Sequence, residues 1–484
     1  MLNDLLCPVA ATVADVLRCV DRNAQGIACL HDDDGHVVAI MTDGDIRRAL
    51  LHGAVLGSSI REYANQDFFW MPHGLSHEAY TAALKVNRRH VPVLDEQRRL
   101  VTLISFKKEA TVPVAAINLV GNELNYVTQC IQDNWISSQG KFVSEFENVF
   151  AAYHGMPHAL TTSSGTTALH LALVALGVGP ADEVIVPAST FGATANAVIH
   201  AGGIPVFVDI EEDTWCMDPL LLEQAITPAT KAVIPVHLYG NPANMDAIAR
   251  IAKRHSLFVI EDCAESLGAT FSGGTLTGTK SDISCFSFFS NKVITTGEGG
   301  MVLTRDMDLH RKMRQLRDHG TSLERKYWHD YPGFNYRMTN IQAAIGLAQM
   351  ERIRDFLDTR ERIAVRYKER LAALPGLQMQ RVKPGYAAIN WLFTAAVTPE
   401  FPYSRDTLME ILKKQRVDSR PFFPALFHQP AYAPYMRKSE FPVALRMERD
   451  GFSLPTSNFL SVADIDRVCE SLVTGVSRWE GTVL

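Results

Sequence analysis

The sequence lacks the features that place a protein in a membrane or on nucleic acid. It has no run of about 18 apolar residues, so a membrane-spanning helix is not expected. The start, MLNDLLCPVAATVADVL, has no basic stretch before its apolar residues and is typical of an amphipathic segment rather than a secretory signal. An excess of positive charge is also absent, since 47 lysines and arginines are outnumbered by 53 aspartates and glutamates. The net charge of −6 gives no reason to expect binding to nucleic acid or to an anionic membrane surface.

Cysteines with metal-site spacing are absent as well. The chain has eight cysteines, none of them in a C-x-x-C pair, so neither a zinc site nor a disulfide framework is expected. Dispersed cysteines of this kind fit thiols that are kept reduced. We therefore predict a cytoplasmic protein that holds no metal.

The length indicates more than one domain. A chain of 484 residues is too long for one ordinary hydrophobic core, which predicts two or three domains. Apolar residues make up 47% and charged residues 21%, and these shares are typical of a globular enzyme rather than a disordered chain.

Residues 1–108 contain a weak internal repeat. One copy begins with TVADVL at Thr12 and the other with SHEAYT at Ser76. Each copy predicts an amphipathic helix, a short strand, an acidic turn, a second strand and a charged helical start. The turns DDDG and DEQRR occupy equivalent places. Neither copy has enough apolar surface to fold alone, so we expect the two copies to pack as a pair.

This pair resembles a tandem CBS (Bateman) module. The resemblance implies that AIMTDGDIRR supplies Thr42 to the phosphate and Asp45 to the ribose of a bound nucleotide. The second copy has Ser105 and Lys108 at those places, so it lacks the acidic ribose contact, and at most one nucleotide site is expected. The alternative is a module that only supports the fold or strengthens a dimer.

Strands and helices alternate after a break at Pro113. The apolar runs EVIVP, IPVFVDI, KAVIPVHLYG and LFVIEDCA are separated by helical stretches. This α/β pattern predicts a mostly parallel sheet covered on both faces, with ligands at the carboxyl ends of its strands. A long amphipathic stretch that begins TNIQAAIGLAQ then leads to a smaller α/β domain with the strand NWLFTAAV and a terminal helix. We place the larger domain at 113–360 and the smaller one at 361–484.

The stretch TTSSGTTALHLALVALG offers a first candidate site. Ser164, Gly165 and Thr166 precede a run of strong helix formers, so they lie at a helix N-terminus. The backbone N–H groups and the helix dipole there favour an anion, and the hydroxyl groups add donors. An ordinary helix cap explains the same residues equally well.

Two further candidates end apolar strands. Asp262 closes LFVIED, where a buried carboxylate needs a cationic partner, although a cap or salt bridge is the plainer alternative. Lys292 follows FSFFSN, and a desolvated amine has a lowered pKa and can form a Schiff base with a carbonyl. Considered singly, a lysine is more simply explained as solvated.

The order of these candidates along one sheet favours pyridoxal phosphate (PLP) as a cofactor. PLP requires an anchor for its phosphate, an acid opposite its ring nitrogen and an amine for its aldehyde. Phe191, in PASTFGATANAV, follows another strand and is a candidate to stack on the ring. A core aromatic is an equal alternative on spacing alone.

Several motifs together resemble the DegT/DnrJ/EryC1/StrS family of sugar aminotransferases. They are SSGTTALHLAL, PVHLYGNPANMDAI, EDCAESLGA, FSFFSNKVITTGEGGMVLT and FNYRMTNIQAAIGLAQMERI. The resemblance covers residues 113–484 and implies the fold type I aminotransferase architecture with PLP. It also implies a homodimer with shared active sites, and transfer of an amino group from glutamate to a nucleotide-linked keto-sugar.

The resemblance also assigns roles to residues. Lys292 falls on the family's Schiff-base lysine, and Asp262 falls on its partner for the pyridine nitrogen. Glu265 falls on a position near the ring substituents.

The other matched positions touch the phosphate or the ring face. Gly165, Thr166 and Ser287 match phosphate contacts, and Phe191 matches the stacking aromatic. Asn335, in GFNYR, matches a residue that reaches the phosphate of the neighbouring subunit, and an asparagine in a plain turn is its alternative.

Within the family, three stretches most resemble the members that make GDP-perosamine by aminating C4 of GDP-4-keto-6-deoxymannose. The usual destination of the family's products is surface polysaccharide such as O-antigen. The three stretches are NWISSQGKFVSEFE, SFFSNKVITTGEGG and RDHGTSLERKYWHDYPGFNYRMTN. Related members act on UDP- or dTDP-linked keto-sugars. The motifs mainly bind the cofactor, so they leave the sugar and the nucleotide open.

Two other functions stay open at this point. A nucleotide-sensing regulatory protein with an inactive transferase domain is one, although the intact Thr166, Asp262 and Lys292 argue against a decayed site. A PLP-dependent dehydratase or amino-acid enzyme is the other. Some family members that are dehydratases carry histidine at the lysine position, so Lys292 favours the aminotransferase.

Overall fold

The computed structural model describes residues 3–23, 25–75, 90–105, 111–437 and 439–480. The chain divides into two compact units, Met1–Ala110 and Thr111–Leu484. Among the described residues, no helix has both the length and the apolar character needed to cross a membrane.

The first unit contains two three-stranded sheets with the same layout. Its elements are β1 (Leu6–Pro8), α1 (Val13–Asn23), β2 (Ile27–His31), β3 (Val37–Thr42), α2 (Asp43–Leu51), β4 (Met71–Pro72), β5 (His90–Leu94) and β6 (Leu100–Ser105). The strand orders are β1-β2-β3 and β4-β5-β6. In each sheet the central strand is parallel to the first strand and antiparallel to the last.

The acidic turns of the two copies are built alike. Asp32 Oδ1 accepts a hydrogen bond from the His36 N–H at 2.8 Å, and Asp95 Oδ1 accepts one from the Arg99 N–H at 2.7 Å. Each turn is thus closed by its first aspartate over the same spacing. The internal repeat is confirmed in its strands and turns, whereas 76–89 and 106–110, which include the second predicted helix and Lys108, lie outside the described residues.

The two copies share a small core. Cys29 and Val37 of the first copy lie in one buried cluster with Leu94 of the second. The Val37 N–H also donates to the Arg98 carbonyl at 2.9 Å. The expectation that the copies pack as a pair is therefore confirmed.

The second unit begins with a seven-stranded sheet and its helices. The elements are α3 (Glu123–Gln132), α4 (Lys141–His154), β7 (His158–Thr162), α5 (Gly165–Ala175), β8 (Glu183–Pro187), α6 (Ala193–His200), β9 (Ile204–Val208), α7 (Pro219–Gln224), β10 (Thr230–Val233), α8 (Met245–His255), β11 (Phe258–Asp262), β12 (Ile283–Ser287), β13 (Gly300–Thr304), α9 (Met307–Arg317) and α10 (Asn340–Met350). The strand order is β7-β13-β12-β11-β10-β8-β9, and β13 alone runs against its neighbours in this sheet. The predicted mostly parallel sheet is confirmed.

Both faces of this sheet are buried. Along β8, Val184 and Val186 belong to one hydrophobic core, and Ile185 between them belongs to the other. Successive side chains of a strand point to opposite faces, so a strand covered on both sides must be apolar throughout. This explains the uninterrupted run EVIVP.

The remainder of the second unit forms a smaller antiparallel sheet with its own core. Its elements are α11 (Ile353–Leu371), β14 (Leu377–Met379), β15 (Phe393–Val397), α12 (Arg405–Lys414), β16 (Arg420–Pro421), α13 (Pro442–Asp450), β17 (Gly451–Leu454) and α14 (Val462–Glu480). The strand order is β14-β15-β17-β16. The long amphipathic stretch forms two helices, α10 and α11, that are separated at Glu351 and Arg352. The boundary placed between residues 360 and 361 falls inside α11.

Candidate active site

A cavity of about 990 Å³ lies at the carboxyl ends of the large sheet. Ser164 follows β7, Thr190 follows β8, and Asp262 and Ser287 end β11 and β12. Residues 420–424 from the smaller sheet complete the wall. The position agrees with the rule that ligands bind beyond the carboxyl ends of parallel strands, and the volume suits a cofactor together with a substrate.

Eight of the residues predicted from the sequence line this one cavity. They are Ser164, Gly165, Thr166, Phe191, Asp262, Glu265, Ser287 and Lys292. Asn335 is not among the described lining residues. Its Oδ1 accepts a hydrogen bond from Arg337 Nε at 3.0 Å, and its expected contact with a neighbouring subunit is not tested by a single chain.

The start of α5 forms one wall of the cavity. Ser164 caps the helix, because its hydroxyl accepts from the Thr167 N–H at 3.1 Å and Thr167 Oγ1 accepts from the Ser164 N–H at 3.0 Å. The cap explanation of Ser164 is therefore correct, and a phosphate contact by its side chain stays a prediction. A Cβ at Gly165 would lie 2.8 Å from Ser287 Cβ, so only glycine lets the helix start approach the end of β12 this closely. This approach brings Thr166 and Ser287 to the same wall.

Asp262 is a buried carboxylate with hydrogen bonds but no ion pair. Its Oδ2 accepts from the Thr194 hydroxyl at 2.9 Å, and its Oδ1 accepts from the Ala264 N–H at 3.1 Å. Burial raises the pKa of Asp262, while those hydrogen bonds and the charge of Lys292 oppose that rise. Among the described residues no cation pairs with it directly, so a cationic group on a ligand would stabilise its charged form.

Lys292 lies at the cavity wall and is nearly enclosed, with 13% of its side chain exposed. Its Nζ is 3.6 Å from Glu265 Oε1. Burial lowers the pKa of Lys292, and the carboxylates of Glu265 and Asp262 act in the opposite direction. The solvated alternative for this lysine is wrong, because the enclosed amine is the desolvated group that Schiff-base chemistry requires.

Glu265 is held in place by the backbone. Its Oε2 accepts from the Tyr239 N–H at 2.8 Å, and Tyr239 has a φ of +56°, in the left-handed region that residues other than glycine rarely adopt. Burial raises the pKa of Glu265, and the charge of Lys292 is the largest effect in the opposite direction.

Phe191 faces the cavity rather than the core. The residue is 62% exposed, and its ring centroid lies 6.0 Å from that of Phe423. The alternative of a core aromatic is therefore wrong. Stacking on a cofactor ring stays a prediction.

Two residues of the site were missed by the sequence reasoning. Thr194 donates to Asp262, and Trp391 places its ring 3.7 Å from Lys292 Nζ. Thr194 is one of several hydroxyl residues in its stretch, and Trp391 belongs to the smaller domain. Neither residue carries a local pattern that marks it as functional.

Thr42 and Asp45 of the first unit form a helix cap at α2. The Thr42 N–H and hydroxyl donate to Asp45 Oδ2 at 2.8 and 2.6 Å, and Arg48 donates to Asp45 Oδ1 at 2.5 Å. Thr12, Asp15 and Arg18 repeat these contacts at α1, with the Thr12 N–H 3.0 Å and its hydroxyl 2.7 Å from Asp15 Oδ2. The capping arrangement thus occurs twice, whereas only one of the two was predicted to bind a nucleotide.

The residues around the cavity fit PLP. Hydroxyl groups at a helix N-terminus suit a phosphate dianion, and the absence of a side chain at Gly165 leaves room beside them. Asp262 lacks a direct cation among the described residues, and a protonated ring nitrogen would supply one. Lys292 is a desolvated amine at the same wall.

Comparisons with known proteins agree with this site. The model of the DegT/DnrJ/EryC1/StrS aminotransferase family matches residues 118–473. GDP-perosamine synthase of Caulobacter vibrioides is 47% identical over 366 residues, which is 75% of this chain and 97% of that protein. GDP-perosamine synthase of Escherichia coli O157:H7 is 42% identical over 361 residues, 75% of this chain and 97% of that protein. The structure of Spr1654 from Streptococcus pneumoniae in its PLP form superposes with a TM-score of 0.71 at 28% identity, covering 76% of this chain and 99% of that one.

Proposed function

Because the chain belongs to the DegT/DnrJ/EryC1/StrS aminotransferase family, we propose that it transfers an amino group from glutamate to C4 of GDP-4-keto-6-deoxymannose and so makes GDP-perosamine. The chain is a PLP-dependent sugar aminotransferase, as its relatives are. The observation that carries the proposal is the juxtaposition of the Lys292 amine and the buried Asp262 carboxylate in one cavity. The choice of sugar and nucleotide is supported by the similarity to GDP-perosamine synthases.

We assign the cofactor contacts as follows. Bound PLP supplies an electrophilic aldehyde and a ring that takes up electrons from the carbon beside the amino group. The start of α5, with Ser164, Gly165 and Thr166, would hold the phosphate together with Ser287 from β12, and Asn335 of a second copy would reach it. Phe191 would cover one face of the ring, and Glu265 would lie near the ring substituents.

Lys292 and Asp262 move and hold protons in this scheme. Desolvation lowers the pKa of Lys292 and so favours its neutral amine, which would take a proton from the substrate carbon that bears the amino group and deliver it to the aldehyde carbon of the cofactor. Asp262 would keep a proton on the ring nitrogen, and the Thr194 hydroxyl fixes the orientation of the Asp262 carboxylate. In the first half-reaction glutamate would leave its amino group on the cofactor and depart as 2-oxoglutarate. The keto-sugar enters the same cavity in the second, and the proton moves in the reverse direction.

The substrate is tested by product analysis. Purified protein is incubated with PLP, with glutamate that carries an isotopically labelled amino nitrogen, and with GDP-, UDP- or dTDP-linked 4-keto-6-deoxy sugar. We expect mass spectrometry to find the label in the GDP-sugar at the highest kcat/KM. Higher kcat/KM for the UDP- or dTDP-sugar would contradict the choice of nucleotide. Loss of water without transfer of label would favour a dehydratase, and no conversion at all would favour a regulatory protein with an inactive transferase domain.

We further propose that residues 1–108 form a tandem CBS module that binds one nucleotide at Thr42 and Asp45. The repeated sheets and paired packing of the first unit support a two-copy module. Both oxygens of Asp45 are engaged in the cap of α2, so a nucleotide must share or displace those hydrogen bonds.

Nucleotide binding is tested by calorimetric titration of the full chain with adenine, guanine and cytidine nucleotides. We expect one of them to bind, and we expect Asp45→Ala to abolish the binding because the ribose contact is lost. Asp15→Ala is the matched control, since Asp15 makes the same cap at α1 and should leave binding intact. No heat with any nucleotide, or equal loss in both variants, would leave the module a structural role.

We also propose that the active chain is a homodimer with shared active sites. Large apolar side chains are exposed along residues 117–136, with Val120 at 70% and Leu124 at 76%, and Trp135 half exposed. Such a surface is typical of an interface between subunits. Sedimentation of the purified chain would report twice the monomer mass.

A cytoplasmic location is proposed from the eight buried, unpaired cysteines, and cell fractionation tests it.

A further inference from the structure

Trp391 touches both the amine of Lys292 and the backbone just before it. The Lys292 Nζ lies 3.7 Å from the centroid of the indole ring. The indole Nε1–H donates to the Asn291 carbonyl oxygen at 2.7 Å. Trp391 is 4% exposed, so both contacts lie in a nearly dry part of the cavity wall.

The backbone of Trp391 is held by several contacts. The Trp391 carbonyl oxygen accepts from Arg360 Nη1 at 2.9 Å and from the Thr456 hydroxyl at 2.7 Å. A Cβ at Gly240 would lie 2.9 Å from the backbone nitrogen of Trp391, so the backbone of the larger domain packs directly against that of Trp391. Trp391 therefore forms a fixed surface of the smaller domain against which the lysine can rest.

The charged groups that face Lys292 do not fix its position alone. Glu265 forms an ion pair with the amine at 3.6 Å, which is longer than an ordinary hydrogen bond, and Asp262 acts on the amine only through its charge. The face of an indole attracts an ammonium group, and the attraction is stronger where water is excluded. The ring is thus a second partner for the amine, in addition to the Glu265 carboxylate.

We propose that Trp391 is a positioning residue for Lys292. The ring face of Trp391 holds the free ammonium group and its N–H fixes the Asn291 carbonyl, so the amine stays at the cavity wall. The role rests on the proposed function only in that Lys292 is the reacting amine. A restricted amine loses less freedom when it reacts, and it returns to the same place whenever it is released.

The test measures Lys292 in the cofactor-free protein. The amine is labelled competitively with acetic anhydride over a range of pH, and the Lys292 peptide is quantified by mass spectrometry to give its pKa. We expect Trp391→Leu to lower that pKa by about 0.5 to 1 unit, because leucine keeps the site dry and removes the ring. Trp391→Phe should give a smaller fall, since it keeps a weaker aromatic face.

Trp215 provides the matched control. It is fully buried, its Nε1–H donates to the Glu212 carbonyl at 3.1 Å, and it does not line the cavity. A merely structural tryptophan would lower the melting temperature in Trp391→Leu and Trp215→Leu alike and leave the Lys292 pKa unchanged. An unchanged or raised pKa in Trp391→Leu would overturn the proposal, a rise meaning that water has replaced the ring.

Kinetics of the holoenzyme test the N–H contact separately. Trp391→Phe should lower kcat by about tenfold, the usual effect of losing one hydrogen bond, with the KM for glutamate nearly unchanged. An unchanged kcat would overturn the positioning role of the N–H. Because the pKa measurement uses neither cofactor nor substrate, an error in the proposed function would leave it intact.

Discussion

Replacing Lys292 by alanine is expected to lower turnover by at least about 10³-fold, because the group that anchors the cofactor and moves the proton is removed. The visible absorbance that PLP gains on joining an amine of the protein should disappear as well. The rate is measured with glutamate and the preferred keto-sugar, and the absorbance is measured on the purified protein.

Two further lysine variants separate chemistry from charge. Lys292→Arg keeps a cation beside Glu265 and Trp391, yet it should be as inactive as Lys292→Ala, since a guanidinium does not give up its proton. Lys280→Ala removes a lysine that pairs with Asp246 away from the cavity and should leave turnover intact. Full activity in Lys292→Ala would show that another residue performs the reaction.

The second large effect is expected at Asp262. Asp262→Asn keeps the size of the side chain but removes the negative charge that holds the proton on the ring nitrogen. We expect kcat to fall by about 10²- to 10³-fold, the range found when one electrostatic partner of the reacting group is lost. Steady-state kinetics and a thermal unfolding curve are recorded for the same preparation.

Glu261 is the matched control for a buried acid on the same strand. Its carboxylate pairs with His237 at 3.0 Å and accepts from the Gly278 N–H at 2.9 Å, and it does not line the cavity. Glu261→Gln should lower the melting temperature and leave kcat within a few-fold. If both variants lost activity only in proportion to their loss of folded protein, Asp262 would be a structural acid.

Much of the large domain was predictable because the burial of each strand leaves its mark on that strand's own residues. Strands buried on both faces must be apolar throughout, which gives runs such as EVIVP, and the residues that follow such runs gather at one edge. Asp262 and Lys292 lie at the ends of apolar strands in this way, and for that reason the sequence identified them as candidates for one site, whereas Ser287 was identified only by the family resemblance.

The features that escaped prediction depend on long-range contacts. Trp391 reaches Lys292 only because the smaller domain packs against the sheet, and no spacing in the sequence records that approach. The break between α10 and α11 lacks a nearby proline or glycine signal, so one continuous amphipathic pattern conceals two helices. At Ser164 the sequence pattern is local but ambiguous, since a helix cap and a phosphate-binding loop use the same residues.

The identity of the lysine that carries the cofactor is the most direct test. Protein loaded with PLP is reduced with borohydride, digested, and searched by mass spectrometry for the pyridoxyl group, which reduction fixes to the amine that held it. The group is expected on the peptide that contains Lys292 and on no other. A pyridoxyl group on a different lysine, or on none, would contradict the assignment of this cavity as the site of amino transfer.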